Sequence, residues 1–298
     1  MVNKGKKRIT ERRNPATYQI DELQTRDVLE IINKEDKTVA EAVNKIIPEI
    51  QKVVDQIVLR MKKGGRLFYV GAGTSGRLGI LDAVECKPTF SVGPDKVIGI
   101  LAGGEKAMFR SQEDIEDNTE LGAEEILNYE INENDTVIGI AASGKTPFVI
   151  GAVKAARKRG SFTAAIVCNN DSPLSAAAEM EITVIVGPEV ITGSTRMKAG
   201  TAQKMILNMI STTVMIKQGK VYSNLMVDLQ PTNEKLRKRA IDIFTIITAA
   251  EEEIAAEYLS RANYELKEAV IMYKKGAKFN EAQKLLKEND GNLKEIIN

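Results

Sequence analysis

Three short stretches of the chain combine glycine with hydroxyl side chains where strand-length apolar runs end. The first, Gly71-Ala72-Gly73-Thr74-Ser75-Gly76, follows the run Arg66–Val70 and leads into a helical pattern from Leu78. The second, Ser143-Gly144-Lys145-Thr146, follows Thr136–Ala141, and Pro147 behind it suits a first helical turn. The third, Gly193-Ser194-Thr195-Arg196-Met197-Lys198, follows the last apolar run and opens a helix whose first turn would carry Arg196 and Lys198. A strand that breaks into such a turn points backbone N–H groups and a helix dipole at an anion. Hydroxyls add further donors. Cations in a first helical turn oppose the dipole, so a nearby anion is expected to compensate them. The expected guest is a small phosphorylated molecule, with Gly73, Thr74, Ser75, Gly76, Ser143, Gly144, Thr146, Ser194, Thr195 and Lys198 as candidate binding residues.

Two nucleotide readings compete and fail on context. Gly71–Gly76 satisfies G-x-G-x-x-G, but a dinucleotide site also wants an acid about 20 residues further on, at the end of the second strand. That strand ends in Leu101-Ala102-Gly103-Gly104, and Glu105 falls beyond the distance. Gly139–Thr146 spells the P-loop expression in full, yet Ile140 and Ala141 continue the apolar strand and leave Gly139 inside it. A monophosphate fits both stretches better.

Proton transfer must come from elsewhere, because the chain contains no histidine and no tryptophan. A Ser-His-Asp triad, a histidine metal site and a histidine base are excluded. Carboxylates lead instead. Glu85 is placed just past the helix that follows the first turn, and Glu113, Asp114, Glu116 and Asp117 crowd the start of the next helix. There Ser111 could cap and Asp114 could take the capping-box position. Position alone makes these acids surface residues that complement a dipole. Cys86 and Cys168 stand in unrelated contexts, with neither a disulfide framework nor metal-ligand spacing, so a reducing compartment and no metal or cofactor are expected.

The elements that must position these groups read as a doubly wound α/β fold. Strands are expected at Arg66–Val70, Val97–Leu101, Thr136–Ala141, Thr163–Cys168 and Ile182–Val186. They are nearly all apolar, as in a five-stranded parallel sheet covered on both faces. Helical stretches fall near 75–84, 113–130, 147–159, 173–179 and from Gly193 to about Gln218. Ahead of the sheet, Thr25–Asn33 and Thr38–Lys63 read as helices, the second bent at Pro48. Behind it, Val221–Pro231 looks irregular and Asn233–Tyr258 reads as one long helix. Leu266–Lys275, Asn280–Lys287 and Asn292–Ile297 then suit a three-helix bundle. The expected organisation is an N-terminal tail and helices (1–54), a sheet domain (55–219) and a C-terminal helical region (220–298).

Composition bounds the partners. With 43% hydrophobic and 28% charged residues and a formal charge of +1, the 298-residue chain is an ordinary globular sequence with no bulk attraction for nucleic acid or membrane. Basic Lys4–Arg8 reads as a solvated tail, and the absence of an apolar leader points to a cytoplasmic protein.

Together RLFYVGAGTSGRLGILDAVECKPTF, GIAASGKTPFVIGA and GPEVITGSTRMKAGTAQK resemble the bacterial N-acetylmuramic acid 6-phosphate etherases. TERRNPATYQID and LNMISTTVMIKQGKVYSNLMVDL fit the same pattern, so the likeness covers nearly the whole chain. GSTRMKAGTAQK is specific to this family and its relatives, which include the glucokinase regulatory protein, a non-catalytic sugar-phosphate binder. The resemblance implies the sugar isomerase fold, a homodimer and a C-terminal bundle similar to ubiquitin-associated domains. It further implies cleavage of the D-lactyl ether without metal, with Glu85 protonating the departing lactate and Glu116 removing the C2 proton. Two other functions stay open on the same fold: a sugar-phosphate sensor that needs neither acid, and an aldose–ketose isomerase that forms no lactate.

Overall fold

The computed structural model describes residues 8–110, 113–229, 231 and 233–298. They form two compact units, one of Met1–Ala83 with Asp95–Ile210, the other of Val84–Pro94 with Ser211–Asn298.

The first unit is built on a five-stranded parallel sheet of β1 (Leu67–Gly71), β2 (Val97–Leu101), β3 (Thr136–Ile140), β4 (Phe162–Val167) and β5 (Met180–Thr183). Their spatial order is β2-β1-β3-β4-β5. Every residue of β1, β3 and β4 is buried, which is why these runs do not alternate in polarity. Phe68, Val70, Val137, Ala165 and Val167 share one apolar cluster with Phe148, Val149, Ala152 and Val153 of α7 (Pro147–Lys158). Residues one step along, such as Tyr69, Ile138, Ile140 and Ile166, are equally buried and face the other way. The sheet is therefore covered on both faces. Helix α3 (Gly73–Phe90) follows β1, and the remaining helices after β2 are α4 (Gly104–Phe109), α5 (Glu113–Glu116) and α6 (Thr119–Leu127). Beyond α7 come α8 (Pro173–Ala177) and α9 (Lys198–Lys217).

Glycine sets one helix contact. A β-carbon on Gly122 of α6 would lie 1.9 Å from the Phe148 carbonyl oxygen, and one on Gly151 of α7 would lie 2.0 Å from that of Thr119. Backbones this close tolerate no side chain. At the opposite end of the sheet from the turns, buried Asp135 joins β1 to β3. It accepts from the Arg66 backbone N–H (2.9 Å), from Arg66 Nε (3.1 Å) and NH2 (2.7 Å), and from the Asn132 N–H (3.0 Å). These bonds, foremost among the causes, hold the Arg66 guanidinium above its usual range.

Several expected boundaries move. The helices ahead of the sheet are α1 (Thr25–Asn44) and α2 (Ile47–Lys62), so the chain breaks near Lys45 and Ile46. Pro48 thus stands in the first turn of α2, where its missing N–H costs nothing, and does not bend a longer helix. Strand β5 closes at Thr183 because its partner β4 ends opposite, at Val167. The 113–130 stretch divides into α5 and α6, with Asn118 capping the second; the cap expected at Ser111 lies outside the described residues. Residues 9–22 are not a loose tail: they form three 3₁₀ turns, Ile9–Glu11, Pro15–Thr17 and Ile20–Glu22.

In the second unit, β6 (Val221–Tyr222) and β7 (Leu225–Met226) pair as an antiparallel hairpin in the segment expected to be irregular. The expected long helix is two, α10 (Glu234–Thr248) and α11 (Glu252–Arg261), because Ala249 takes a left-handed conformation at φ 58°. Helices α12 (Leu266–Lys275), α13 (Phe279–Glu288) and α14 (Leu293–Ile297) complete it. Phe244, Tyr258 and Tyr273 form an aromatic triangle with centroid distances of 5.3 to 6.2 Å. Buried Lys267 donates to the carbonyls of Gly219 (2.8 Å) and Gly291 (2.7 Å) and to Asp228 (2.7 Å), tying the hairpin to the bundle.

Candidate active site

Parallel register carries the glycine and hydroxyl turns to one sheet edge. Gly71 pairs with Leu101 on one side and Ile140 on the other, Ile140 pairs with Ile166, and Val167 pairs with Thr183. Strands β1 and β3 then release the first two turns at the same level. The order 2-1-3-4-5 reverses between β1 and β3, and ligands of such sheets bind in the crevice at that switch point. The turns flanking it are Ala72–Gly76 and Ala141–Thr146.

In the first turn the glycines do different work. A β-carbon on Gly71 would lie 2.6 Å from the Gly76 nitrogen, and one on Gly76 would lie 2.6 Å from the Gly71 oxygen. Those two serve the close packing of helix on strand. Gly73 adopts φ +52°, with open space where a β-carbon would stand. Thr74 is half-buried, while the buried Ser75 hydroxyl donates to Gln203 Oε1 of α9 at 2.9 Å. The Gln203 amide nitrogen is buried with no partner among the described residues. A half-turn of that amide would make it the donor and release the serine proton toward a ligand.

The second turn is a tight one: the Gly144 N–H donates to the Ala141 carbonyl at 2.9 Å, with Gly144 at φ +64°. A β-carbon there would meet the Ser172 side chain at 2.4 Å. Ser143 Oγ accepts from the Lys145 N–H at 3.2 Å, and Thr146 stands as the N-cap residue of α7.

The third turn is different, because the chain supplies its own anions. Helix α9 begins at Lys198, leaving Arg196 exposed in the turn before it. Fully buried Glu189 accepts from the N–H groups of Lys198 (2.8 Å) and Ala199 (2.9 Å). Lys198 is itself buried, and its Nζ donates to Glu35 Oε2 at 2.6 Å. Burial alone would raise the Glu35 carboxyl, but the bonds from Lys198 and Asn14 outweigh it and hold the group below its ordinary range. The compensating anion is thus a pair of internal carboxylates. Ser194 and Thr195 remain half-buried on the turn. Two contacts bring the third turn and α9 beside the first: Ser75 with Gln203, and the Gly200 β-position 3.5 Å from Thr74 Cγ2.

The two candidate acids fall in different units. Glu116 is the last residue of α5 and is half-buried. It closes this short helix, where a carboxylate gains nothing from the dipole. Glu85 lies within α3, not beyond it, and is exposed in the segment grouped with the second unit. The helix runs on to Phe90 and carries Pro88 inside it.

Sequence reasoning missed Glu189, Glu35, Gln203 and Asn169, the residues that hold these turns. None carries a pattern of its own; Glu189 lies 9 positions before its amide partner Lys198.

Comparison with known proteins bears on the whole arrangement. Residues 49–157 match the N-terminal SIS domain of glucokinase regulatory protein, 116–212 the SIS domain, and 223–287 the C-terminal lid domain of glucokinase regulatory protein. A protein of Caldanaerobacter subterraneus named N-acetylmuramic acid 6-phosphate etherase is 55% identical over 289 residues, 97% of this chain and 94% of that one. The chain belongs to the N-acetylmuramic acid 6-phosphate etherase family. A second etherase, from Bacillus subtilis, is 51% identical over 288 residues, covering 97% of this chain and 95% of the relative. The chain also shares its fold with a solved Bacteroides fragilis protein described as a putative phosphosugar isomerase. That likeness has a TM-score of 0.51 at 21% identity, over 66% of this chain and 94% of the other.

Proposed function

We propose that the chain is a carbon–oxygen lyase that converts N-acetylmuramate 6-phosphate and water to N-acetylglucosamine 6-phosphate and D-lactate. The observation that carries this reading is near-full-length identity of 48–55% to proteins named for that etherase activity. The switch-point turns support it with open space at Gly73 and hydroxyl-bearing side chains at Thr74, Ser143 and Thr146. With the sugar ring open, the C1 aldehyde acidifies C2. Glu116 takes the C2 proton, the C3–O bond breaks, and Glu85 protonates the departing lactate oxygen. Water then adds its hydroxyl to C3 and a proton returns to C2. Such a scheme needs one carboxyl protonated while the other is ionised.

Turnover in heavy-oxygen water places label at C3 of the sugar product. Glu85→Gln abolishes lactate release while C2 proton exchange with solvent survives; Glu116→Gln stops the exchange itself. If both variants keep near-normal rates, the two-carboxylate scheme is wrong. A second reading, a non-catalytic sugar-phosphate regulator, draws on the two matches to glucokinase regulatory protein domains. It predicts phosphosugar binding with no lactate formed.

The reading extends to a cytoplasmic homodimer working in N-acetylmuramate catabolism or peptidoglycan recycling. Among the described residues no helix is long and apolar enough to cross a membrane. Residues 55–219 are proposed as the phosphosugar-binding domain, with 1–54 and the bundle-bearing 220–298 flanking it.

A further inference from the structure

The N-terminal segment that follows the basic Lys4–Arg8 stretch is pinned to the ligand turns by buried polar groups. Thr10 is fully buried, and Asn14 and Thr17 are nearly so. Asn14 Nδ2 donates to Glu35 Oε2 at 2.9 Å, and Thr17 Oγ1 donates to the Val190 carbonyl at 2.8 Å. The Arg8 guanidinium donates to the Ser143 carbonyl. Between them stands Asn169, 2% exposed, just beyond β4. Its Nδ2 donates to Thr10 Oγ1 at 3.1 Å and to the Ala142 carbonyl at 2.9 Å, while its Oδ1 accepts from the Thr10 N–H at 3.4 Å.

The Ala142 carbonyl belongs to the central peptide of the Ala141–Gly144 turn, the unit whose flip distinguishes one tight-turn type from another. A trans peptide points its N–H opposite to its C=O. Fixing the Ala142 carbonyl therefore fixes the direction of the Ser143 N–H. Among the described residues no protein group accepts from that N–H. The Cys168 N–H holds the same carbonyl at 3.0 Å, so Asn169 supplies the second of two restraints.

We propose that Asn169, backed by Thr10 of the N-terminal strap, is a positioning residue that aims the Ser143 amide at the phosphate of the sugar. The inference rests on the phosphosugar-binding reading and not on lyase chemistry. It makes residues before the first α-helix part of the binding machinery.

Calorimetric titration with N-acetylglucosamine 6-phosphate tests binding without turnover, and lactate release tests kcat and KM. Asn169→Ala and Asn169→Asp both remove the donor to Ala142, and Asp keeps the acceptor for the Thr10 N–H. Each is expected to weaken phosphosugar affinity and raise KM by about tenfold, the worth of one hydrogen bond, with kcat within about twofold. Thr10→Val should show a smaller loss and Thr10→Ser should restore wild-type affinity, a rescue that general loosening of the fold would not give. Wild-type affinity in folded Asn169→Ala, or equal loss in Thr10→Val and Thr10→Ser, would overturn the proposal. If the Asn169 variants do not fold, the Thr10 pair decides. Absence of lactate from wild type, with variants still losing affinity, would sink the etherase reading and leave this one standing.

Discussion

Glu189 makes the sharpest stability prediction. It is fully buried, and its two oxygens accept the first N–H groups of α9 at 2.8 and 2.9 Å. Glu189→Gln keeps the shape and one acceptor but turns an NH2 group toward the other amide. The loss is one charge-assisted bond, about 1.5–3 kcal/mol, plus the attraction of a buried carboxylate for the helix dipole, up to about 2 kcal/mol. A net cost of about 3 kcal/mol lowers the melting temperature by about 6–12 °C for a unit of this size. Circular dichroism melts of the two proteins at neutral pH measure it. Glu189→Ala leaves both amides unpaired and costs more. Acetate or formate should then recover part of the loss in Glu189→Ala and none in wild type. A Glu189→Gln melt within about 2 °C of wild type would refute the reasoning, since it would mean that the α9 amides find equal partners without the charge.

Three further outcomes are expected. Asp135→Asn leaves Arg66 without its counter-ion and one of the two backbone N–H donors at that site unpaired, at a cost of about 2–4 kcal/mol read as a shifted urea midpoint with unchanged slope. Gly122→Ala drives a β-carbon to 1.9 Å from the Phe148 oxygen, so α6 and α7 must separate; a melt equal to wild type would show that the helices have slack. Glu35 titrates below its ordinary range when folded, so the stability it contributes is complete above about pH 4.3, the unfolded value, and fades as pH falls through the lower folded value. The stability gap between wild type and Glu35→Gln should therefore close across that acid window and stay constant from pH 6 to 8; a gap that widens on acidification contradicts the ion pair.

Much of the fold was legible because its signals are local. All-apolar runs separated by helical patterns announce a covered parallel sheet, and five strands stand within a few residues of where the runs lie. Boundaries failed where tertiary partners decide them: β5 stops where β4 stops, and Ala249 breaks α10 from α11 with no glycine to announce it. Turns could be found from glycine and hydroxyl spelling. What occupies each turn could not. Glu189, Glu35 and Asn169 act through backbone atoms or through residues up to 163 positions away in the chain, and no spacing rule reaches that far.

The three turns look alike in sequence, and the structure separates them by how their polar groups are already satisfied. At the third, an internal carboxylate sits where a phosphate would otherwise complement the helix dipole, and the lysine expected to attract a ligand is buried against Glu35. The first and second lie either side of the β1–β3 switch point, one keeping open space at Gly73 and the other an unclaimed amide at Ser143. A phosphate entering this edge therefore finds donors at two turns and competition at the third. On the proposed reading, the phosphate site therefore lies where β1 and β3 part. Lys198→Met should accordingly cost stability through the orphaned Glu35 and leave phosphosugar affinity almost unchanged. Ser143→Ala, which removes the hydroxyl and keeps the amide, should lower affinity without that stability cost; a calorimetric titration in which Lys198→Met loses more affinity than Ser143→Ala would return the phosphate to the third turn.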